Sequence, residues 1–248
     1  MLSALILTVL AGLSTLLGGL VIFFVKKQTD GFLSISMGFS AGVMIFVAFA
    51  ELLKESIDGI GYFPAVIAFF FGMLIIYIID LLIPHSYKQE NPCIESKRKC
   101  DLKRCGVLIA IGIAIHNFPE GIAVFFSSLT DIHVGMAVAF AIALHNIPEG
   151  IAVAMPIYYA TNSRVKAFWY SFLSGVAEPV GALFAFLFLY KFITPALLYG
   201  ILGAVAGIMV FISFDELLPK AYEEKSSNKI ILGIISGMAV MALSLVFI

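Results

Sequence analysis

The sequence predicts an all-α integral membrane protein with eight transmembrane helices, and three observations carry that prediction. Of its 248 residues, 61% are hydrophobic and only 12% are charged, with a mean hydropathy of +1.06; a soluble domain has roughly a quarter charged residues. Eight apolar segments reach the about 20 residues that a helix needs to cross a bilayer core of about 30 Å. No segment alternates in polarity as the strands of a membrane barrel do. This composition excludes a soluble globular enzyme and a disordered chain, and a net charge of -1 offers no basic surface for nucleic acid.

Taken in order, span 1 (2–25) lacks the basic start of a signal peptide and is too long for one, so it is expected to stay in the mature chain. Lys26 and Lys27 close it. Span 2 (32–53) ends at Glu51 and Lys54, and span 3 (61–83) carries Asp80 near its end. A polar stretch, 84–105, follows with six Lys and Arg between Lys88 and Arg104. Spans 4 (106–128) and 5 (133–159) hold the two copies of a His-Asn-x-Pro-Glu-Gly motif; Arg164 and Lys166 come after. Span 6 (167–190) holds Glu178-Pro179, and span 7 (196–218) ends in Asp215-Glu216. Lys220, Lys225 and Lys229 then lead into span 8 (230–248). Gly and Pro within these segments are ordinary in membrane helices. Thirteen of the 15 basic residues follow spans 1, 3, 5 and 7, leaving Lys54 and Lys191 on the other side. Both termini are therefore expected outside, the loop 84–105 in the cytoplasm, and the chain in the cell membrane as one multi-pass domain.

Cys93, Cys100 and Cys105 all lie in that loop. They make no disulfide framework. Reduced thiols in a solvated basic loop are the simpler reading, and thiolates that receive or sense metal are the alternative.

The chain repeats internally. Residues 38–56 align without gaps on 203–221 with nine identities, and the same offset of 165 carries Gly72-Met73 onto Gly237-Met238. Residues 10–20 resemble 173–183 at an offset of 163, and HNFPEGIAV (116–124) recurs as HNIPEGIAV (145–153) with eight of nine residues matched. Compositional likeness between apolar helices explains matched Gly and Leu, but not the doubled motif. Spans 1–3 thus correspond to spans 6–8, and span 4 to span 5, crossing in opposite directions. Inverted repeats of this kind place a substrate site near the midplane and allow alternating access.

Within the spans the deeply placed ionisable residues are His116, Glu120, His145, Glu149 and Glu178. Each acidic residue at mid-bilayer costs roughly 2.5–3.5 kcal/mol on insertion scales. The three glutamates are spaced 29 and 29 residues apart, so they fall at about one depth, and a shared cation would offset the cost of all three. His116, Asn117 and Glu120 share one helix face by i,i+4 and i,i+3 spacing, as do His145, Asn146 and Glu149. Pro119 and Pro148 release the carbonyls of Ile115 and Leu144. Imidazole, carboxylate and amide oxygen together suit a borderline divalent transition metal. Met44 is a soft candidate ligand, although core packing is the commoner fate of a lone Met. Glu51, Asp80, Asp215 and Glu216 sit at span ends, where a solvated or vestibule role is expected rather than ligation.

At these residues the chain resembles the ZIP (Zrt/Irt-like) metal-ion transporters, and within them the short bacterial zinc transporters. HNFPEG and HNIPEG, SGVAEPVGA around Glu178, and AVAGIMVFISFDELLP (204–219) carry the resemblance over essentially the whole chain. It implies an eight-helix fold, uptake of divalent metal into the cytosol, a two-metal site, and elevator-like movement of spans 1, 4, 5 and 6 against the others. It assigns His116, Glu120, Glu149 and Met44 to one metal subsite, with His145 at a variable position. Asn117, Asn146 and Glu178, bridged by Glu120 and Glu149, make the second. The resemblance also implies that Asp80 and the Pro84-His85 pair, at the inner end of span 3, belong to the exit route. Lys54 departs from the family pattern, which has Pro there, and the loop has only His85 in place of a His-rich cluster.

The expected function is secondary transport of Zn²⁺, with Fe²⁺, Mn²⁺, Co²⁺ and Cd²⁺ as further cargo, and with no cofactor. No GxxxxGK[ST] motif suggests a pump. The competing reading is an intramembrane metal-dependent hydrolase. Against it, Asn117 and Asn146 stand where HExxH chemistry needs a glutamate base. The lipid bilayer and the metal ion are the expected partners, and a homodimer is compatible with the sequence but not required by it.

Overall fold

The computed structural model describes residues 1–25, 29–82, 94–130, 132–189, 194–223 and 227–245. Among these it contains helices and no strand. Helix α1 (Leu2–Leu20) continues as a short tight helix, Val21–Phe24. Thr29 caps α2 (Asp30–Val47), its hydroxyl accepting from the Phe32 amide. A wide turn, Ala48–Leu52, joins α2 to α3 (Leu53–Ile60), which stops at Gly61 with φ 85°. Helix α4 (Tyr62–Leu82) is span 3. Three long helices follow: α5 (Ile94–Thr130), α6 (Ile132–Thr161) and α7 (Arg164–Phe184). A wide turn, Ala185–Leu189, extends α7. Helix α8 (Pro195–Ile212) runs through another, Ser213–Leu217, into α9 (Leu218–Glu223), and α10 (Ser227–Leu245) completes the bundle.

Eight stretches among the described residues are long and apolar enough to cross a membrane, and each coincides with one expected span. The chain is a multi-pass helical membrane protein. Two boundaries move. Helix α5 starts at Ile94, twelve residues before the expected span, so the second half of the polar stretch 84–105 is helix rather than loop. That segment contains no Gly or Pro before Gly106, and Glu95 sits four residues before Lys99, a spacing that favours helix. Span 2 likewise runs on to Ile60 through the turn at Ala48–Leu52.

Helices α1, α5, α6 and α7 pack on one another as one group, while α2 runs along α10 and α4 along α8; α2 meets α6, and α5 meets α8, where the groups join. The closest approaches use glycine. A Cβ at Gly42 would strike the carbonyl of Ile234, and one at Gly207 would strike that of Phe69. In the other group, Gly121 lies against the carbonyl of Glu178, and Gly150 against that of Thr15. Gly42 and Gly207 differ by 165 in number, and so do Phe69 and Ile234. Gly121 and Gly150 differ by 29, and Thr15 and Glu178 by 163. The wide turns Ala48–Leu52 and Ser213–Leu217 are also 165 apart. Three independent offsets read from the sequence thus recur in backbone packing.

Candidate metal centre

The doubled motif folds as its spacing requires. Pro119 and Pro148 lie inside α5 and α6 without ending them, and His116, Asn117, Glu120, Asn146 and Glu149 all turn inward. His116, Glu149 and Glu178 are each 0% exposed. His116 Nε2 lies 2.9 Å from Glu149 Oε1 on the neighbouring helix and 3.6 Å from Glu120 Oε1 on its own. One imidazole and two carboxylates from α5 and α6 therefore converge within the reach of a single ion.

Glu178, from α7, meets the second motif. Asn146 Nδ2 donates to Glu178 Oε2 at 2.8 Å and to the Ala11 carbonyl at 3.0 Å, and Asn117 Nδ2 donates to the Ser174 carbonyl at 3.4 Å. Both amides thus spend their donors on α1 or α7. The Oδ1 atoms of Asn117 and Asn146, and Oε2 of Glu149, are buried with no hydrogen-bond partner among the described residues. A buried acceptor without a donor costs about 1–3 kcal/mol. A cation bound among these oxygens would remove that cost, and the donor set of imidazole, carboxylate and amide oxygen fits a divalent transition metal. Helix α2 is tied to the same level by Ser40, whose hydroxyl donates to the Pro148 carbonyl at 3.2 Å.

The other expected residues fall in different places. Met44 is fully buried within the main apolar cluster, which also contains Met209. His145 belongs to α6, but its side chain lies outside the described residues, as does His85 altogether. Glu51 shares a cavity of about 540 Å³ with Glu55, Asp58 and Glu120, with Lys54 also in its wall. This cavity opens where α3 and α5 end and where α6 and α8 begin, and Glu120 links it to the metal centre. At the opposite end, one oxygen from each of Asp80, Asp215 and Glu216 lies within 4.8 Å of the others.

Comparison with known proteins shows the family of the chain. The sequence model of the family described as ZIP Zinc transporter matches residues 86–245. A protein of Chlorobium phaeovibrioides named Zinc transporter ZupT is 51% identical over 98% of this chain and 96% of its own length. Proteins of the same name from Streptococcus mutans and Oceanobacillus iheyensis are each 50% identical, over 98% and 99% of this chain and 96% and 97% of their own. The chain belongs to the ZIP zinc transporter family. It is a transporter rather than an enzyme, and the hydrolase reading is set aside.

Within this ZIP fold, two features were not found by sequence reasoning. Arg104, counted with the cytoplasmic loop, lies inside the helix bundle, bonded to Asp80 and Glu216. Cys105, placed in the same solvated loop, is buried, its thiol donating to the Glu216 carbonyl at 3.7 Å. Cys93 and the Cys100 side chain lie outside the described residues. The usable signal was the pattern at 102–109, where buried Leu102, Cys105, Leu108 and Ile109 recur at helical spacing.

Proposed function

We propose that this chain carries divalent transition-metal ions, Zn²⁺ foremost, into the cytosol through a binuclear site of His116, Asn117, Glu120, Asn146, Glu149 and Glu178, with His145 and Met44 as accessory ligands. The observation that carries the proposal is the approach of His116 Nε2 to Glu149 Oε1 at 2.9 Å, fully buried between two helices that share one motif. The names of the relatives, Zinc transporter ZupT, support zinc as cargo. The donor chemistry extends the range to Fe²⁺, Mn²⁺, Co²⁺ and Cd²⁺, because affinity in such sites follows the Irving–Williams order rather than the biological cargo.

The basic loops orient the protein with both termini outside, so the 540 Å³ cavity faces outward and Asp80, Asp215 and Glu216 face the cytoplasm. The ion meets Glu51, Glu55 and Asp58, reaches Glu120, and exchanges its water for His116 and Glu149. The group α1, α5, α6 and α7 then moves against the remaining helices and presents the site to the other side. The recurring offsets in glycine packing support an inverted repeat as the basis of that alternation.

The deciding experiment is uptake of ⁶⁵Zn²⁺ by cells expressing the protein or its His116→Ala/Glu149→Ala variant at equal membrane abundance. Uptake above background that disappears in the variant is the expected result. Equal uptake by both would remove this site from the route.

A further inference from the structure

The inner end of the bundle carries a contact that the transport site does not use. Arg104, on α5, places Nη2 at 2.5 Å from Asp80 Oδ1 on α4 and Nη1 at 3.4 Å from Glu216 Oε1 in the turn after α8. Two nitrogens of one planar guanidinium thus hold carboxylates from two helices, all three side chains at most 20% exposed. The contact crosses the boundary between the helix groups, because α5 belongs to one and α4 and α8 to the other. Two neighbouring contacts cross at the same end. The Cys105 thiol donates to the Glu216 carbonyl. The Tyr159 hydroxyl, closing α6, accepts from the Thr29 amide and donates to the Thr29 carbonyl, each at 2.9 Å. At the outer end the groups part around the cavity that reaches Glu120.

Asp80, Asp215 and Glu216 together could hold a cation, and Arg104 already supplies a fixed positive charge to two of them. An arriving dication and Arg104 therefore compete for the same oxygens. We propose that Arg104 is the inner lock of the transport cycle: it ties α5 to α4 and α8 while the outer cavity is open, and the dication releases it by taking over Asp80 and Glu216. Arg104 acts through those carboxylates and does not touch the midplane site, so it is a positioning residue. A guanidinium suits this role because it stays charged and bridges two acceptors, while a lysine ammonium would act as a single point charge.

The lock rests on the transport reading above, yet it is tested without transport. In protein carrying Cys93, Cys100 and Cys105→Ser, one reporter cysteine is placed at Ala110, buried on α5 between Arg104 and His116, or at Ser127, in the outer cavity wall. Maleimide labelling rates are measured in proteoliposomes without metal. With Arg104→Ala, the Ala110→Cys reporter is expected to label at least tenfold faster and the Ser127→Cys reporter more slowly, with Arg104→Lys between the two. In the Arg104 background, Zn²⁺ should accelerate Ala110→Cys labelling. The variant Arg104→Ala/Asp80→Asn/Glu216→Gln, which removes both carboxylates that Arg104 holds, should show the same reciprocal shift. An unchanged Ala110→Cys rate overturns the proposal. So does a rise at both reporters, which signals a loosened bundle rather than a released lock. ⁶⁵Zn²⁺ uptake by the same vesicles reports separately on the transport reading.

Discussion

Replacing Asn146 with alanine removes a donor from a buried carboxylate without touching the charge of the metal centre. In the structure, Asn146 Nδ2 bridges Glu178 Oε2 at 2.8 Å and the Ala11 carbonyl at 3.0 Å, all buried between α1, α6 and α7. A hydrogen bond to a charged group contributes about 1.5–3 kcal/mol, which corresponds to roughly a 10- to 150-fold loss in metal affinity at 1.4 kcal/mol per tenfold. Asn146→Ala should therefore weaken Zn²⁺ binding to the purified protein by that factor, measured by competition with a chromophoric chelator in detergent. The mechanism has a sharper consequence. If the amide acts by orienting Glu178, then Glu178→Gln should remove most of what Asn146→Ala can still lose. The double variant should bind at least tenfold better than the product of the two single effects predicts. Additivity within threefold would refute this orienting role and leave Asn146 acting through its own Oδ1 or through packing alone.

Other expectations follow from separate features. Protons compete with metal for His116 and the glutamates, and protonation removes ligands, so the KM for Zn²⁺ should rise as pH falls from 7.5 to 5.5; a flat profile in vesicle uptake would contradict the site. Lys54 is a fixed cation in a cavity wall whose other charged residues are all acidic, 3.3 Å from Asp58 and with its side chain 68% exposed. Lys54→Gln should lower KM by about two- to threefold at low ionic strength, and the gain should fade near 0.5 M salt as screening shortens the reach of surface charge. A Cβ at Gly121 meets the Glu178 carbonyl, whereas at Gly200 the nearest atom is 4.0 Å away. Gly121→Ala should cost about 1–3 kcal/mol, seen as a lower melting temperature in detergent, and Gly200→Ala should leave it unchanged or raise it.

The parts legible in the sequence were those fixed by local periodicity and by the cost of polarity in lipid. Eight apolar lengths gave eight spans, and i,i+3 and i,i+4 spacing gave the face shared by His116, Asn117 and Glu120. The wide turns at Ala48–Leu52 and Ser213–Leu217 were not legible, because apolar composition continues through them and hydropathy does not register one extra residue per turn. Arg104 was missed for a different reason. Its partners lie 24 and 112 residues away, and a charge count assigns a basic residue to a loop without asking whether a carboxylate waits inside the bundle. The same applies to the cavity wall: Glu55 and Asp58 are not singled out in the sequence, and only the packing of α3 brings them to a cavity that Glu120 also lines.

The glycine contacts make each helix group a rigid unit. Gly42 meets Ile234 as Gly207 meets Phe69, and Gly121 meets Glu178 as Gly150 meets Thr15. All four contacts lie within one helix group or the other, so the proposed movement of one group against the other leaves them intact. Each group therefore keeps its shape through these contacts, and the change of packing in the proposed cycle falls on the boundary where α2 meets α6 and α5 meets α8.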